Sequence, residues 1–332
     1  SEEIFEPTPL ALVMSATAVD CFGGSNGTAS AVVSGGTASY QYTWNGGIGT
    51  LPALTGLTAD MYVATITDQN SCQIIDSIEV TQPLVGMSIV MDTTDVLCFG
   101  GNDGEGGVTA NGGTLPYGYL WTNGDLDDTA EDLISGAYSV TVTDGNGCTQ
   151  TGSVLIDEPS VLESSITSIT NVSCNGGSNG AATVGSTGGS GGYTYLWSPG
   201  GATTATITGQ VAGKYYVTTT DLHGCTTLDS AVITEPLLPL STTTDQVDNL
   251  CFGESNGIAI VEAAGGTSPY GYVWGPTVGT NDSLTNLPIG QYIVTITDAK
   301  SCTTKDTVTI VEPTILSYTE VISNVSCNGL SD

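Results

Sequence analysis

The sequence predicts an all-β chain, a tandem array of small antiparallel sandwiches, and three observations predict it. Cysteines fall on a beat of 76 or 77 residues: Cys21, Cys98, Cys174, Cys251 and Cys327 form one series, and Cys72, Cys148, Cys225 and Cys302 a second. The stretch Gly136-Ala-Tyr-Ser-Val-Thr-Val-Thr-Asp-Gly-Asn-Gly-Cys148 is written four times, with its copies ending at Cys72, Cys148, Cys225 and Cys302. A Tyr-x-Tyr-x-Trp run recurs at Tyr40/Tyr42/Trp44, Tyr117/Tyr119/Trp121, Tyr193/Tyr195/Trp197 and Tyr270/Tyr272/Trp274. Alternation with a period of two marks half-buried strands, and self-similarity at a fixed period marks a repeat architecture.

Proline landmarks keep the same beat at Glu6-Pro7, Gln82-Pro83, Glu158-Pro159, Glu235-Pro236 and Glu312-Pro313. They divide the chain into the end of a preceding repeat (1–7), four full repeats (8–83, 84–159, 160–236, 237–313) and the start of a fifth (314–332). The chain is therefore expected to be a window on a longer array.

The elements of the second repeat follow in order. Met87 to Val96 is a first strand, and Cys98 to Gly104 a Gly-rich loop. Gly106 to Asn111 is a second strand with Val108 and Ala110 inward; Gly112-Gly113 turns the chain. Tyr117 to Trp121 is a third strand with its three aromatics on one face. A variable stretch follows, in which the third repeat suggests a short strand at Thr204 to Thr208. Gly136 to Thr143 is the next strand, with Tyr138, Val140 and Val142 on one face, and Asp144-Gly-Asn-Gly supplies turn chemistry. Cys148 to Ile156 closes the repeat, Val154 and Ile156 inward. Six or seven short strands, a central Trp and a Tyr opening the penultimate strand point to an immunoglobulin-like or PKD-like β-sandwich, and the array to an elongated rod. The predicted core is Trp44, Tyr62, Trp121, Tyr138, Trp197, Tyr215, Trp274 and Tyr292. The cysteine pair that crosses the two sheets of antibody domains is missing: Val140 stands two residues after Tyr138.

Composition bounds the partners. With 34 acidic and 3 basic side chains the formal charge is -31, which excludes nucleic acid and anionic membrane surfaces. No apolar run is long enough to span a bilayer, so membrane insertion is not expected. Ile4 to Met14 lacks a basic n-region, so an export signal would lie outside this sequence.

All nine cysteines sit in polar loops, which suits disulfides in an oxidising compartment. Zinc is disfavoured by one histidine and no Cys-x-x-Cys pair. Two connectivities stay open. Pairing within a repeat, such as Cys98 with Cys148, is the default. In an immunoglobulin-like topology, however, the loop after the first strand and the turn before the last lie at opposite ends, roughly 20 Å apart. A bridge needs Cα atoms within about 7 Å. Head-to-tail stacking favours a staggered scheme: Cys21 with Cys148, Cys98 with Cys225 and Cys174 with Cys302. Cys72, Cys251 and Cys327 would then have partners outside this sequence.

Motifs that suggest chemistry have structural readings too. Gly23-Gly-Ser25-Asn-Gly27, with its copies at Gly176 to Gly180 and Gly253 to Gly257, matches the G-x-S-x-G of hydrolase nucleophile elbows. A serine nucleophile needs a base, and His223 is the only histidine; a Gly-rich turn explains the motif better, and no enzyme is expected. Asp68, Asp144, Asp221 and Asp298 are candidate Ca²⁺ ligands, Ca²⁺ being the one cofactor considered. Each turn offers a single Asp, so an Asx-type turn is the stronger reading. The acids Asp125, Asp127, Asp128, Glu131 and Asp132 do not recur and read as a solvated loop.

Taken together, Cys174-Asn-Gly-Gly-Ser-Asn-Gly180, Gly188-Gly189 followed by Tyr193 to Trp197, Gly136 to Cys148 and the closing Glu-Pro resemble SprB-type repeats of very large Bacteroidota cell-surface adhesins of the gliding type. The resemblance covers essentially the whole chain and carries over no catalytic residues. It implies export by a type IX pathway and display outside the cell as a filamentous adhesin. The first repeat departs at Asp60, where the others have Gly, which is expected to weaken the corner there. Asp-Ser/Thr sites at Ser77, Thr93, Thr129, Ser230, Ser283 and Thr307 resemble the O-glycosylation sequon of that phylum, and a Ser/Thr-rich β-protein produces such pairs as readily.

Two functions follow. One is a non-enzymatic shaft of disulfide-stapled spacers, whose partners are the neighbouring repeats and, on bundling, other copies of the chain. The other is a string of modules that bind glycans or a receptor through their loops. The variable stretches 45–57, 122–134, 198–208 and 275–287 are mostly Gly, Thr, Asp and Pro, which ranks the second reading lower.

Overall fold

The computed structural model describes residues 6–322. The chain divides into two compact units, Ser1–Val161 and Leu162–Asp332, each with two copies of one six-stranded sandwich. The first copy runs β1 (Ala11–Thr17), β2 (Gly27–Ser34), β3 (Gln41–Trp44), β4 (Ala53–Leu57), β5 (Asp60–Thr67) and β6 (Gln73–Val80). These strands form two three-stranded antiparallel sheets, β1-β2-β4 and β3-β5-β6, with β1 lying against β6 across the sandwich. The second copy repeats the order as β7 (Ser88–Thr94), β8 (Gly104–Asn111), β9 (Gly118–Trp121), β10 (Thr129–Leu133), β11 (Gly136–Thr143) and β12 (Thr149–Ile156).

The second unit holds β13 (Glu163–Thr170), β14 (Gly180–Thr187), β15 (Thr194–Ser198), β16 (Thr206–Gln210), β17 (Gly213–Thr220) and β18 (Thr226–Ile233). It continues with β19 (Ser241–Val247), β20 (Gly257–Ala264), β21 (Gly271–Gly275), β22 (Ser283–Leu287), β23 (Gly290–Thr297) and β24 (Thr303–Ile310). The opening of the fifth repeat around Asn324 and the cysteine at Cys327 lie outside the described residues. No described helix is long and apolar enough to cross a membrane.

Alternation builds each core. In β11 the buried Val140 and Val142 face inward, and Val140 sits opposite Trp121 in the register with β9. Along the Tyr-x-Tyr-x-Trp strand the two tyrosines are half-buried and only the Trp is fully enclosed, so the aromatic face runs from the sandwich end into its centre. Burying a Trp removes roughly 150–250 Å² from water, worth about 4–6 kcal/mol at ~25 cal/mol per Å². Each repeat has its own closed cluster; in the second, Trp121 packs with Val96, Val108, Val140, Val142 and Ile156.

Three expectations change. Tyr138 is half-buried and packs against the core cluster instead of being enclosed in it, with its hydroxyl on Ile134 O at 3.2 Å. The other tyrosines at this corner are buried and make the same bond: Tyr62 to Thr58 O (3.0 Å), Tyr215 to Val211 O (3.0 Å) and Tyr292 to Pro288 O (2.9 Å). The first corner thus keeps the same bond with Asp60 in place of glycine. Of the glycines at that place, Gly136 has φ +156° while Gly213 and Gly290 have no positive φ, and Asp60 Oδ1 accepts Met61 N–H at 2.7 Å. The short strand of the third repeat begins at Thr206, two residues late, because Thr204 O ends the preceding loop by accepting the Trp197 indole N–H at 3.0 Å.

Candidate functional site at the repeat junctions

Within each unit the junction between its two repeats is built from a loop and a turn. The loop starts at the first cysteine of a repeat. Gly24 N–H donates to Cys21 O at 2.9 Å across a turn whose third residue, Gly23, has φ +73°; that conformation admits glycine readily and side chains poorly. Two further contacts brace it. Gly23 N–H donates to Gln82 Oε1 at 2.7 Å, and Asp20 N–H donates to Asn26 Oδ1 at 3.1 Å. Repeats two to four use the Glu before their closing proline instead of Gln: Gly100 to Glu158 (2.6 Å), Gly176 to Glu235 (2.6 Å) and Gly253 to Glu312 (2.8 Å). In the sequence these Glu-Pro pairs stand out only as landmarks, and their fixed distance from the cysteine loop is the one signal of the contact.

The G-x-S-x-G resemblance dissolves into this scaffold. Its first glycine makes the turn, and its last opens a strand where a Cβ would collide. At Gly27 a Cβ would stand 2.5 Å from Val80 and 3.0 Å from Leu57 O; at Gly180 it would stand 2.7 Å from Ile233. His223 lies exposed in a different turn, where its N–H donates to Asp221 Oδ1.

The second half of the junction is the turn that ends in Cys72, Cys148, Cys225 or Cys302. One buried carboxylate organises it. Asp144 Oδ1 accepts the N–H groups of Asn146 (3.0 Å) and Cys148 (2.9 Å), and Oδ2 accepts Thr114 N–H (3.0 Å) from the neighbouring loop. Asp68 does the same with Asn70, Cys72 and Thr37, Asp221 with His223, Cys225 and Ser190, and Asp298 with Lys300, Cys302 and Thr267. The Ca²⁺ candidates Asp68, Asp144, Asp221 and Asp298 thus have the Asx geometry, their oxygens accepting backbone N–H groups. No group of three or more His, Cys, Asp or Glu side chains suited to a metal occurs among the described residues. The Thr37 N–H, foremost among the donors, holds the Asp68 carboxyl below its ordinary 3.8. Burial pushes Asp144 and Asp298 up, and the backbone donors led by Cys148 and Cys302 outweigh it, so both also lie below 3.8.

The sulfurs join loop to turn across the repeat boundary. Cys21 bonds to Cys148 in the first unit and Cys174 to Cys302 in the second, each with Cα atoms 5.7 Å apart. Neither Cys148 nor Cys174 is bonded within its own repeat. Cys98 and Cys225 are disulfide-bonded as well. Cys72 and Cys251 are free thiols and exposed. In the first unit, Asn146 Nδ2 donates to Asp20 O at 3.0 Å, so a hydrogen bond accompanies the cystine.

Of the candidate glycosylation positions, Ser77, Thr93 and Thr307 are exposed, while Thr129, Ser230 and Ser283 are half-buried.

A family model described as SprB repeat matches residues 15–49, 91–126, 166–202 and 243–278, once in each repeat. No curated protein matches the chain. Among solved structures, the N-terminal eight immunoglobulin domains of Down Syndrome Cell Adhesion Molecule align at 11% identity and TM-score 0.32, over 93% of this chain and 61% of that one. A tetra-tandem repeat from the extending region of a large adhesion protein aligns at 15% identity and TM-score 0.29, over 91% of this chain and 100% of that one. A Ca²⁺-stabilized adhesin with which an Antarctic bacterium binds ice aligns at 15% identity and TM-score 0.35, over 88% and 97%.

Proposed function

Since the chain is an SprB-repeat region, we propose that it serves as the covalently tied, non-enzymatic shaft of a large cell-surface adhesin or extracellular fibre. One observation carries this reading: the cystines join the loop of one repeat to the turn of the next instead of closing a repeat on itself. A bond placed there adds little to a single sandwich and much to the continuity of the array. The scaffold around it, a braced glycine turn and a carboxylate-capped turn, positions the sulfurs. The resemblance to exported repeats supports display outside the cell through a type IX pathway, and cystines fit an oxidising setting.

Single-molecule stretching tests it. The cystines close loops with sequence separations of 127 and 128 residues, which cannot extend while the bonds hold. At 3.3–3.6 Å per residue, reducing both bonds together should lengthen the fully unfolded chain by roughly 840–920 Å. A contour length that is the same with and without reductant would remove the load-bearing role. Binding of the isolated four-repeat chain on a glycan array would instead favour the ligand-binding reading.

A further inference from the structure

The outer face of one sheet escapes the charge that marks the rest of the chain. In the sheets β3-β5-β6, β9-β11-β12, β15-β17-β18 and β21-β23-β24, the residues that alternate with the core-facing ones point to solvent. Among them stand one carboxylate, Glu79, and two ammonium groups, Lys214 and Lys305, in a chain with 34 acidic and 3 basic side chains. The others are mostly Thr, Ser and large apolar residues. The opposite sheet differs. Its outer face carries Asp92 and Glu105 in the second repeat, Glu163 in the third, and Asp245 and Glu262 in the fourth.

The third repeat shows the face most fully. Leu196, Thr218 and Leu228 lie side by side across β15, β17 and β18, and Lys214 lies beside Val232 two outward rows further along. Leu196 is 54% exposed, Leu228 64% and Val232 53%, so the patch is apolar and uncovered. Tyr216 is the one aromatic ring in these outward rows, and the Lys214 ammonium sits 4.9 Å from its centre. The ring is therefore no bare platform for a sugar. In the first repeat the row that corresponds to Lys214 and Val232 holds Met61 and Glu79, with the exposed Ile75 nearby on β6.

We infer that this face is a lateral docking surface for a second copy of the chain, the first repeat of one copy lying against the third repeat of another. Charge selects the partner. Two chains of formal charge -31 repel wherever carboxylates meet, and this face offers an approach almost free of them. Charge also selects the pairing. Third against third would bring two Lys214 ammonium groups together, whereas third against first brings Lys214 to Glu79 and covers Leu196 and Leu228 with Ile75 and Met61. The contact is modest in size. A three-stranded face ~14 Å wide and ~25 Å long presents roughly 350 Å², against the ~800 Å² per partner of a stable interface. One pair of repeats thus associates weakly and reversibly, and strength comes from several repeats engaging at once. This goes beyond the shaft reading, and its failure would leave the cystines within the chain, and the stretching result, untouched.

The test is sedimentation equilibrium of the whole chain with its free thiols alkylated, which removes disulfide-linked dimers. The expected result is a reversible, concentration-dependent species heavier than the 33.7 kDa monomer, favoured at about 500 mM salt over low salt because salt screens the overall repulsion. Leu228→Glu should weaken the association about tenfold or more, the scale of one buried leucine, with the melting temperature unchanged. Val90→Glu, on the exposed outer face of the opposite sheet in the second repeat, should leave it as it was. Lys214→Glu should weaken it too, and adding Glu79→Lys to that variant should restore it. Monomer at ~1 mM, association that Leu228→Glu leaves intact or that Val90→Glu weakens equally, or a charge swap that fails to restore it would each overturn the inference. A monomer that binds a glycan array through Leu228 would hand the face to a carbohydrate and overturn it as well.

Discussion

Asp144 ties two loops together with one side chain. Its carboxylate closes its own turn through Asn146 and Cys148 and holds Thr114 of the loop that precedes β9. Asp144→Ala would leave those backbone donors without their acceptor in a buried place, a cost of about 1–3 kcal/mol that urea unfolding should read. The pH dependence follows from the same contacts. Asp68, Asp144, Asp221 and Asp298 all lie below 3.8 when folded. The unfolded chain therefore takes up protons first, so the stabilisation is fully present above about pH 4 and is lost as pH falls through the folded values. Asp144→Asn should be less stable than the parent at pH 6 yet lose stability less steeply between pH 4 and 2. Parallel acid limbs in the two proteins would show that the charge on Asp144 contributes nothing.

At the scale of the element, the cysteine loop depends on a residue far away in sequence. Glu235 lies 59 residues from Gly176 and accepts its N–H at 2.6 Å, while Asn175 Nδ2 reaches Pro236 O at 2.9 Å. The loop that presents Cys174 is thus clamped to the end of its own repeat before it meets Cys302. Glu235→Ala should lower the equilibrium constant for forming Cys174–Cys302 against glutathione about tenfold, the equivalent of ~1.4 kcal/mol for a charge-assisted bond. Thiol trapping at a series of redox ratios measures it, and an unchanged midpoint would show that the clamp is ornamental. This element also separates what was legible in the sequence from what was not. The strands were legible because alternation is local: Tyr138, Val140 and Val142 announce β11 without knowledge of its partners. The junction turn was legible as Asx chemistry because Asp144 and Asn146 lie within one turn of Cys148. The Glu235 clamp was not, because a hydrogen bond to a backbone N–H leaves no pattern at its distant partner beyond the spacing. The half-burial of Tyr138 was hidden for a related reason: its hydroxyl partner repeats in every corner, so pattern alone ranks it with Tyr62, Tyr215 and Tyr292.

At the scale of the whole molecule, the cystines are expected to couple the unfolding of neighbouring sandwiches. A repeat of about 77 residues buries a modest share of its surface and is marginal alone. Closing a loop as long as the 127 residues between Cys21 and Cys148 removes chain entropy worth about 4–5 kcal/mol in the loop-closure account. That stabilisation is shared by the two repeats the loop spans, so both should melt together while the bond is intact. The formal charge of -31 works against such coupling, since every neighbouring repeat repels the next, and salt screens that repulsion over roughly 10 Å. Calorimetry with and without reductant separates the two effects. Reduction should lower the melting temperature by about 10–20 °C for a pair of repeats of this combined size and split the transition. The reduced chain should also recover more on raising the salt from 20 to 500 mM than the oxidised chain does, because only the oxidised chain holds its repeats together against the charge. Equal salt responses in the two states would show that repulsion between repeats is already relieved within each fold, leaving the bonds to act on chain entropy alone.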